Sequence, residues 1–495
     1  MNCLQSNSNS SSEARRMLRR MLCPLLLFVA LLLPSVARSQ AAPAAAPQAS
    51  PDVAALSQEA LVWLQALIRF NTTNPPGNEL AAANYIAGIL EKEGIKHEVI
   101  EVTPGRGIVI GRLGNALFPD PTRALMLLAH LDVVGVSREK WTVDPFAAVI
   151  KDGYLYGRGT IDDKGMVVAN LAAFIALKRS GAVLDRDVIF LADDDEEQGG
   201  DSSIRVVVSK YWDKIASGFA LNEEGRVILK DGKVIYVGIQ TTEKVSVNVT
   251  MIATGTSGHA SLPRADNAVI HLGAAVAKVG VYQAPWKLQP TTESYFEQVA
   301  KVEDDDTAKW IRALEMPDRK DNAAKHITDM SPVWNSMLRD TIAPTMLTAG
   351  VRANVIPSEA RANLNVRLLP GDSIQDVIAD LTKVVNDPQI RFEIAPDRGT
   401  PSPPSSMDSP LYKTIESVSG KMFPGAVVMP FMSTGATDSA QLRLHGVQAY
   451  GLLPFPLTED DVMRMHADDE RIPLDSFQKG VAYMVRVVSE FVTKK

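Results

Sequence analysis

Short apolar runs punctuate the first half of the chain. Ala124 to Ala129, Val188 to Ala192 and Gly218 to Leu221 are almost wholly apolar, the pattern of strands buried on both faces. Between the first two, Met166 to Lys178 has apolar residues at helical spacing. Upstream, Leu56 to Phe70 and Glu79 to Glu93 predict two amphipathic helices, separated by the loop Pro75-Pro76-Gly77-Asn78. Strands alternating with helices predict an α/β fold whose sheet is mixed and largely parallel.

Near Thr241 the period changes. Val245, Val247, Val249 and Met251 alternate with polar residues, as in a strand with one buried face. A helix pattern follows over Ala268 to Val279. Strands are predicted over Ala362 to Leu369 and Ile390 to Ile394, with a helix over Ser373 to Val385 between them. This predicts a small α+β domain over 242–395 inserted into a larger one made of 53–241 and 396–495. Residues 283–345 within the insertion are a mixed-charge, helix-prone stretch. An amphipathic helix over Leu474 to Val492 ends the pattern, and no internal repeat is present.

The N-terminus is different again. Arg15, Arg16, Arg19 and Arg20 precede an apolar run from Met21 to Val36, and Ala37-Arg38-Ser39 offers small residues for cleavage. The run is shorter than the ~20 residues of a spanning helix. Residues 1–39 therefore read as a secretory signal peptide. An Ala/Pro-rich tether over 40–52 follows. The expected location is periplasmic or secreted, with no stable membrane anchor after cleavage. Cleavage would remove Cys3 and Cys23, the only cysteines. The mature chain then has no disulfide, no thiol nucleophile and no thiolate ligand. With 46% hydrophobic and 22% charged residues and a formal net charge of −7, the chain is neither disordered nor suited to nucleic acid.

Chemistry-bearing residues cluster where the strands end. His130 and Asp132 follow the first run. Asp162 and Asp163 close a turn that opens at Gly157. Asp193, Asp194, Asp195, Glu196 and Glu197 follow the second run, and Glu223 and Glu224 the third. In open α/β sheets the carboxyl ends of strands converge on the ligand crevice. So many carboxylates in one small volume would repel one another unless a divalent cation joined them. Imidazole and carboxylate without thiolate suit zinc, and also cobalt or manganese. One histidine per ion with a shared carboxylate would fit a two-metal hydrolase.

The segments Leu128–Val134, Tyr156–Gly165, Asp195–Gly199, Ser257–Ser261 and Asn354–Pro357 together resemble the di-zinc metallopeptidases of the aminoacylase-1, glutamate carboxypeptidase and succinyl-diaminopimelate desuccinylase family. The resemblance runs from about residue 55 to the C-terminus. It implies a zinc-peptidase-like catalytic domain with an inserted lid, which in this family commonly mediates dimerisation, and two Zn2+ per subunit. Residue by residue, it implies His130 as a ligand of one ion, Asp132 as the carboxylate orienting that imidazole, and Asp162 as the bridge, with an Asp162–Asp163 peptide often cis in relatives. It implies Glu196 as general base, Glu197 and His466 as further ligands, and Glu223, preferred over Glu224, as the last. His259 would stabilise the oxyanion, often from a partner subunit. Asn354, Arg367 and the loop containing Gly435 would contact substrate.

His97, His271, His326 and His445 fit no motif. Gly105 to Gly111 is not a nucleotide loop, since no helix start follows it. Three functions compete. The first is an exported exopeptidase or carboxypeptidase for small peptides. The second is an N-acyl-amino-acid amidohydrolase, and the third a non-catalytic metal-binding scaffold, which would be expected to have lost the base or ligands. Arg367 suits a substrate carboxylate in either enzyme, because its planar fork binds both oxygens.

Overall fold

A computed structural model describes residues 52–114, 120–199 and 202–494. The expected leader, and all of the tether but Asp52, lie outside the described residues. Asp52 is the N-cap of the first helix, Val53–Arg69, its carboxylate accepting from the amides of Ala54 and Ala55 at 3.1 and 3.0 Å.

The large unit holds a ten-stranded sheet. At its centre Val188–Asp193, Leu125–His130, Phe219–Asn222 and Gln448–Gly451 run parallel. Their register sets His130 beside Asp193 and Leu127 beside Leu221, so the strands end along one edge. Antiparallel strands flank this centre. Lys96–Thr103 and Arg106–Leu113 extend one side, and Arg226–Lys230 and Lys233–Glu243 the other. The sheet is thus mixed, with a parallel centre where the candidate chemistry lies and further parallel pairs of Val427–Ser433 with Lys233–Glu243 and Pro456–Leu457 with Arg226–Lys230 on one flank.

Helix Lys164–Ser180 is apolar nearly all round because it is covered on every side. It lies between the sheet and the helices Val53–Arg69 and Leu474–Val492, and stops at Gly181, whose φ of 63° makes the left-handed C-cap. Phe174 on this helix packs against Phe190 with centroids 5.9 Å apart and crowds Gly111, where a Cβ would come within 3.0 Å of its ring. Each such fully buried side chain contributes about 1.5–3 kcal/mol.

The inserted unit is a four-stranded antiparallel sheet in the order Thr341–Ala349, Glu359–Leu368, Val245–Thr254, Ile390–Arg398. Val245, Val247, Val249 and Met251 face helices Ala268–Val281 and Ile374–Val385. Ser246 and Asn248 therefore face the other way, level with Arg367 and Asn365 on the neighbouring strand. Strand Thr341–Ala349 is an edge, with Met346 and Leu347 about two-thirds exposed at 66% and 65%.

The helix-prone stretch forms Pro290–Val299, Asp305–Arg312, Lys320–Met330 and Pro332–Leu338. These helices do not join the small sheet's core. Pro290–Val299 packs on strand Val427–Ser433 of the large sheet, with Tyr295 edge-on to Phe431 at 5.9 Å. Among the described residues no helix is long and apolar enough to cross a membrane.

Candidate metal centre

Asp162 lies in the loop between strand Tyr154–Tyr156 and helix Lys164–Ser180, and its peptide bond to Asp163 is cis. Glu470 holds this loop. Its buried carboxylate accepts from Arg158 Nη1 at 2.6 Å and from the amides of Gly159, Ile161 and Asp162 at 3.0, 2.8 and 3.2 Å. A fixed acceptor for so many donors sets where Asp162 points.

The two carboxylate oxygens of Asp162 face two histidines. Oδ1 is 3.1 Å from His130 Nε2, and Oδ2 is 3.0 Å from His466 Nε2. Glu223 Oε2 joins His130 Nε2 at 3.5 Å, and Glu197 Oε1 joins His466 Nε2 at 3.2 Å. Two groups result, His130–Asp162–Glu223 and Asp162–Glu197–His466, in each of which the donor atoms lie within 4.8 Å of one another. The other oxygen of Glu223 is buried without a hydrogen-bond partner. One imidazole and two carboxylates at each position, with Asp162 shared, fit a pair of zinc, cobalt or manganese ions.

The electrostatics fit too. Hydrogen bonds to Asp162 and Glu197 push the His466 imidazole up to about 10. Burial works against charge on His130, yet Asp132, Asp162 and Glu223 together hold its pKa well above the usual value. Burial, reinforced by the neighbouring Glu223, pushes Glu196 far above the ordinary carboxylate range, and burial pushes Glu223 up to about 8. Two cations bound there would neutralise the charges that crowd this site.

Asp132 connects the two sides of the floor. Its carboxylate lies 3.2 Å from His130 Nδ1 and accepts from the amides of Glu196 and Glu197 at 3.2 and 3.1 Å. Asn74 Nδ2 donates to Asp132 Oδ2 at 2.8 Å and to Asp195 Oδ1 at 2.7 Å. Behind them, Arg106 bridges Glu79 through Nε and Asp195 through Nη1, both at 3.0 Å. Sequence reasoning missed Asn74, Arg106, Glu79 and Glu470 as site supports. Glu470 alone carried a signal, lying one turn of chain beyond His466 in an acidic segment.

The choice between the paired glutamates is geometric. Glu224, in left-handed backbone at φ 70°, turns to Ser433, whose hydroxyl donates to it at 2.8 Å; Glu223 faces His130. The same hydroxyl accepts from the amide of Gly435 at 3.0 Å. A cleft of about 460 Å3 opens over the floor, lined by Asp162, Glu196, Glu197, Glu223 and His466, by Gly435, and from the inserted unit by Arg367. His259 and Asn354 are elsewhere. They sit on the short exposed pairing of Gly258–His259 with Val355–Ile356, where His259 Nδ1 meets Ser261 Oγ at 2.7 Å, and neither lines the cleft.

These features define a hydrolase on an α/β sheet with candidate positions for two metal ions. The chain belongs to Peptidase family M20/M25/M40, whose pattern matches residues 126–490. It is 30% identical to "Probable carboxypeptidase S-like 2" of Dictyostelium discoideum, over 74% of this chain and 71% of that protein. It is also 30% identical to "N-fatty-acyl-amino acid synthase/hydrolase PM20D1" of Xenopus tropicalis, over 73% and 71%. In fold it resembles the metallo-carboxypeptidase Sso-CP2 of Sulfolobus solfataricus, with a TM-score of 0.66, 20% identity, and coverage of 88% and 99%.

Proposed function

We propose that this protein is an exported two-metal amidohydrolase that removes residues from small peptides, as a carboxypeptidase does. One observation carries the reading: each oxygen of Asp162 faces a different histidine, and each histidine has its own glutamate. Two divalent ions bound there would lower the pKa of a water and polarise the scissile carbonyl. His130, Asp162 and Glu223 would hold one ion, and Asp162, Glu197 and His466 the other. Glu196, on the cleft wall beside the ligands, would take the proton of the attacking water and deliver it to the leaving amine nitrogen. Asp132 keeps the His130 ring and the Glu196 backbone in place. The Arg367 guanidinium, anchored by Asn365 Oδ1 at 3.0 Å, suits the substrate's terminal carboxylate.

His259 enters this scheme through a partner subunit. Pairing of inserted units through the apolar edge around Met346 and Leu347 would make the homodimer in which the histidine reaches the neighbouring cleft and donates to the oxyanion. A second reading, hydrolysis of N-acyl amino acids, is favoured by the similarity to PM20D1 and uses the same residues.

The test is metal content with turnover. About two metal equivalents per chain are expected, with cleavage of dipeptides or N-acetyl amino acids abolished by chelation and restored by zinc. A folded protein without metal and without cleavage would leave the scaffold reading.

A further inference from the structure

Resting on that reading, we infer that the cleft as a whole takes short substrates held by hydrogen bonds, and that it rejects a fatty acyl chain. Beyond the metal floor, the wall from the inserted unit is Ser246, Asn248 and Arg367, and the facing wall includes Thr400, Thr437 and Gln441. Among the described residues no Phe, Tyr or Trp lines this cleft. Its largest apolar residues, Ile204 and Val245, are only 2% and 6% exposed, because each is packed into a core behind the wall. They present almost no apolar surface to a ligand.

The polar wall is organised. Arg367 is tied to Asn365, and Asn365 donates to Asn248 Oδ1 at 3.2 Å. Asn363 donates to the same oxygen at 3.3 Å and to Thr345 Oγ1 at 2.7 Å. Such a ladder offers hydrogen-bonding groups at fixed positions to an amino-acid residue or a short polar acyl group. A long alkyl chain gains affinity only by moving from water to apolar lining. Here it would displace water from amides and a guanidinium and supply no partner. The inserted helices do form a cavity of about 240 Å3 with Leu288, Phe296, Ile311 and Leu314 in its wall, but charged side chains such as Glu297 and Arg312 line it too and it shares no residue with the cleft.

The experiment compares kcat/KM of the zinc-loaded protein on N-acetyl-leucine, N-dodecanoyl-leucine, Ala-Leu and Ser-Leu, which share one leaving group. The short substrates should exceed the dodecanoyl compound by about tenfold or more. Equal or faster cleavage of N-dodecanoyl-leucine would overturn the inference and leave the hydrolase standing. Cleavage of none of the four by metal-loaded, folded protein would overturn both. In Asn248→Leu the preference for short over dodecanoyl substrate should narrow severalfold. An unchanged preference at unchanged metal content would remove the lid wall from its cause.

Discussion

The metal floor and the short pairing that carries His259 belong to one chain, yet they are held in opposite ways. On the floor, His130 is 1% exposed, and two of the candidate ligands are oriented by a buried neighbour, Asp132 behind His130 and Glu470 behind Asp162, although His466 is itself exposed. At the lid pairing, His259 is exposed and its ring is tied only to Ser261, two residues away. A group fixed by distant parts of its own chain is ready before substrate arrives. A group tied only to a near neighbour on the surface has no such fixed place, and a catalytic part for it rests on the proposed second subunit.

That contrast can be broken most severely on the floor. Glu196→Gln should lower kcat about 10³-fold, the scale of a positioned general base, while metal content stays near the wild-type value. Metal analysis alongside steady-state rates checks both, and substantial residual turnover would reassign the base. Glu470→Ala should cost about 3–5 kcal/mol, because Arg158 is left charged, buried and unpaired. A denaturant melt reads the loss, and metal affinity should fall with it as Asp162 loses its support.

His259→Ala sharpens the comparison from the other side. Melting temperature and metal content should be unchanged, while kcat falls about 100-fold, as when one oxyanion donor is removed. Mixing that variant with Glu196→Gln should regain activity if the histidine acts across a dimer. An unchanged kcat would leave the lid histidine without a catalytic part.

The smallest effect concerns His271, whose Nδ1 lies 2.6 Å from Asp387 and whose pKa is raised by that bond. A raised histidine stabilises the fold fully below its unfolded pKa of about 6.5 and loses that contribution as pH rises through the folded value. Asp387, held low, loses its own contribution only in acid. His271→Gln should therefore destabilise by roughly 1 kcal/mol or less near pH 6 and match the parent at alkaline pH in melts across that range.

What could be read from sequence follows the same division. His130, Asp162, Glu197 and Glu223 were legible because each sits shortly after a buried strand or in a glycine turn, whereas His466 carries no such local mark and was reached only through the family resemblance. Glu223 could be preferred over Glu224 only from its place after the strand, since the geometric choice lies in one left-handed backbone angle at Glu224. Arg106, Glu79 and Asn74 left no mark, because a buried ion pair between residues far apart has no periodicity. The four inserted helices were readable as helices, but not as part of the large unit's core. Their apolar faces do not say which sheet they cover, and Tyr295 against Phe431 settles it. A mixed sheet was expected, but which strands would be its antiparallel flanks was not, register being a long-range property.

Glu470 and His466 have a further consequence in the order of synthesis. The bond from Ile161 to Glu470 spans 309 positions, and helix Leu474–Val492 must dock on Lys164–Ser180 to close the same region. A chain emerging from N to C terminus can lay down the parallel strands early, but it has neither the second histidine nor the anchor of the Asp162 loop until its final segment appears. Contacts so remote in sequence also form slowly. A complete candidate site thus arrives as one of the last events in the life of a nascent molecule, and a prematurely released chain lacking that segment should have no hydrolytic activity.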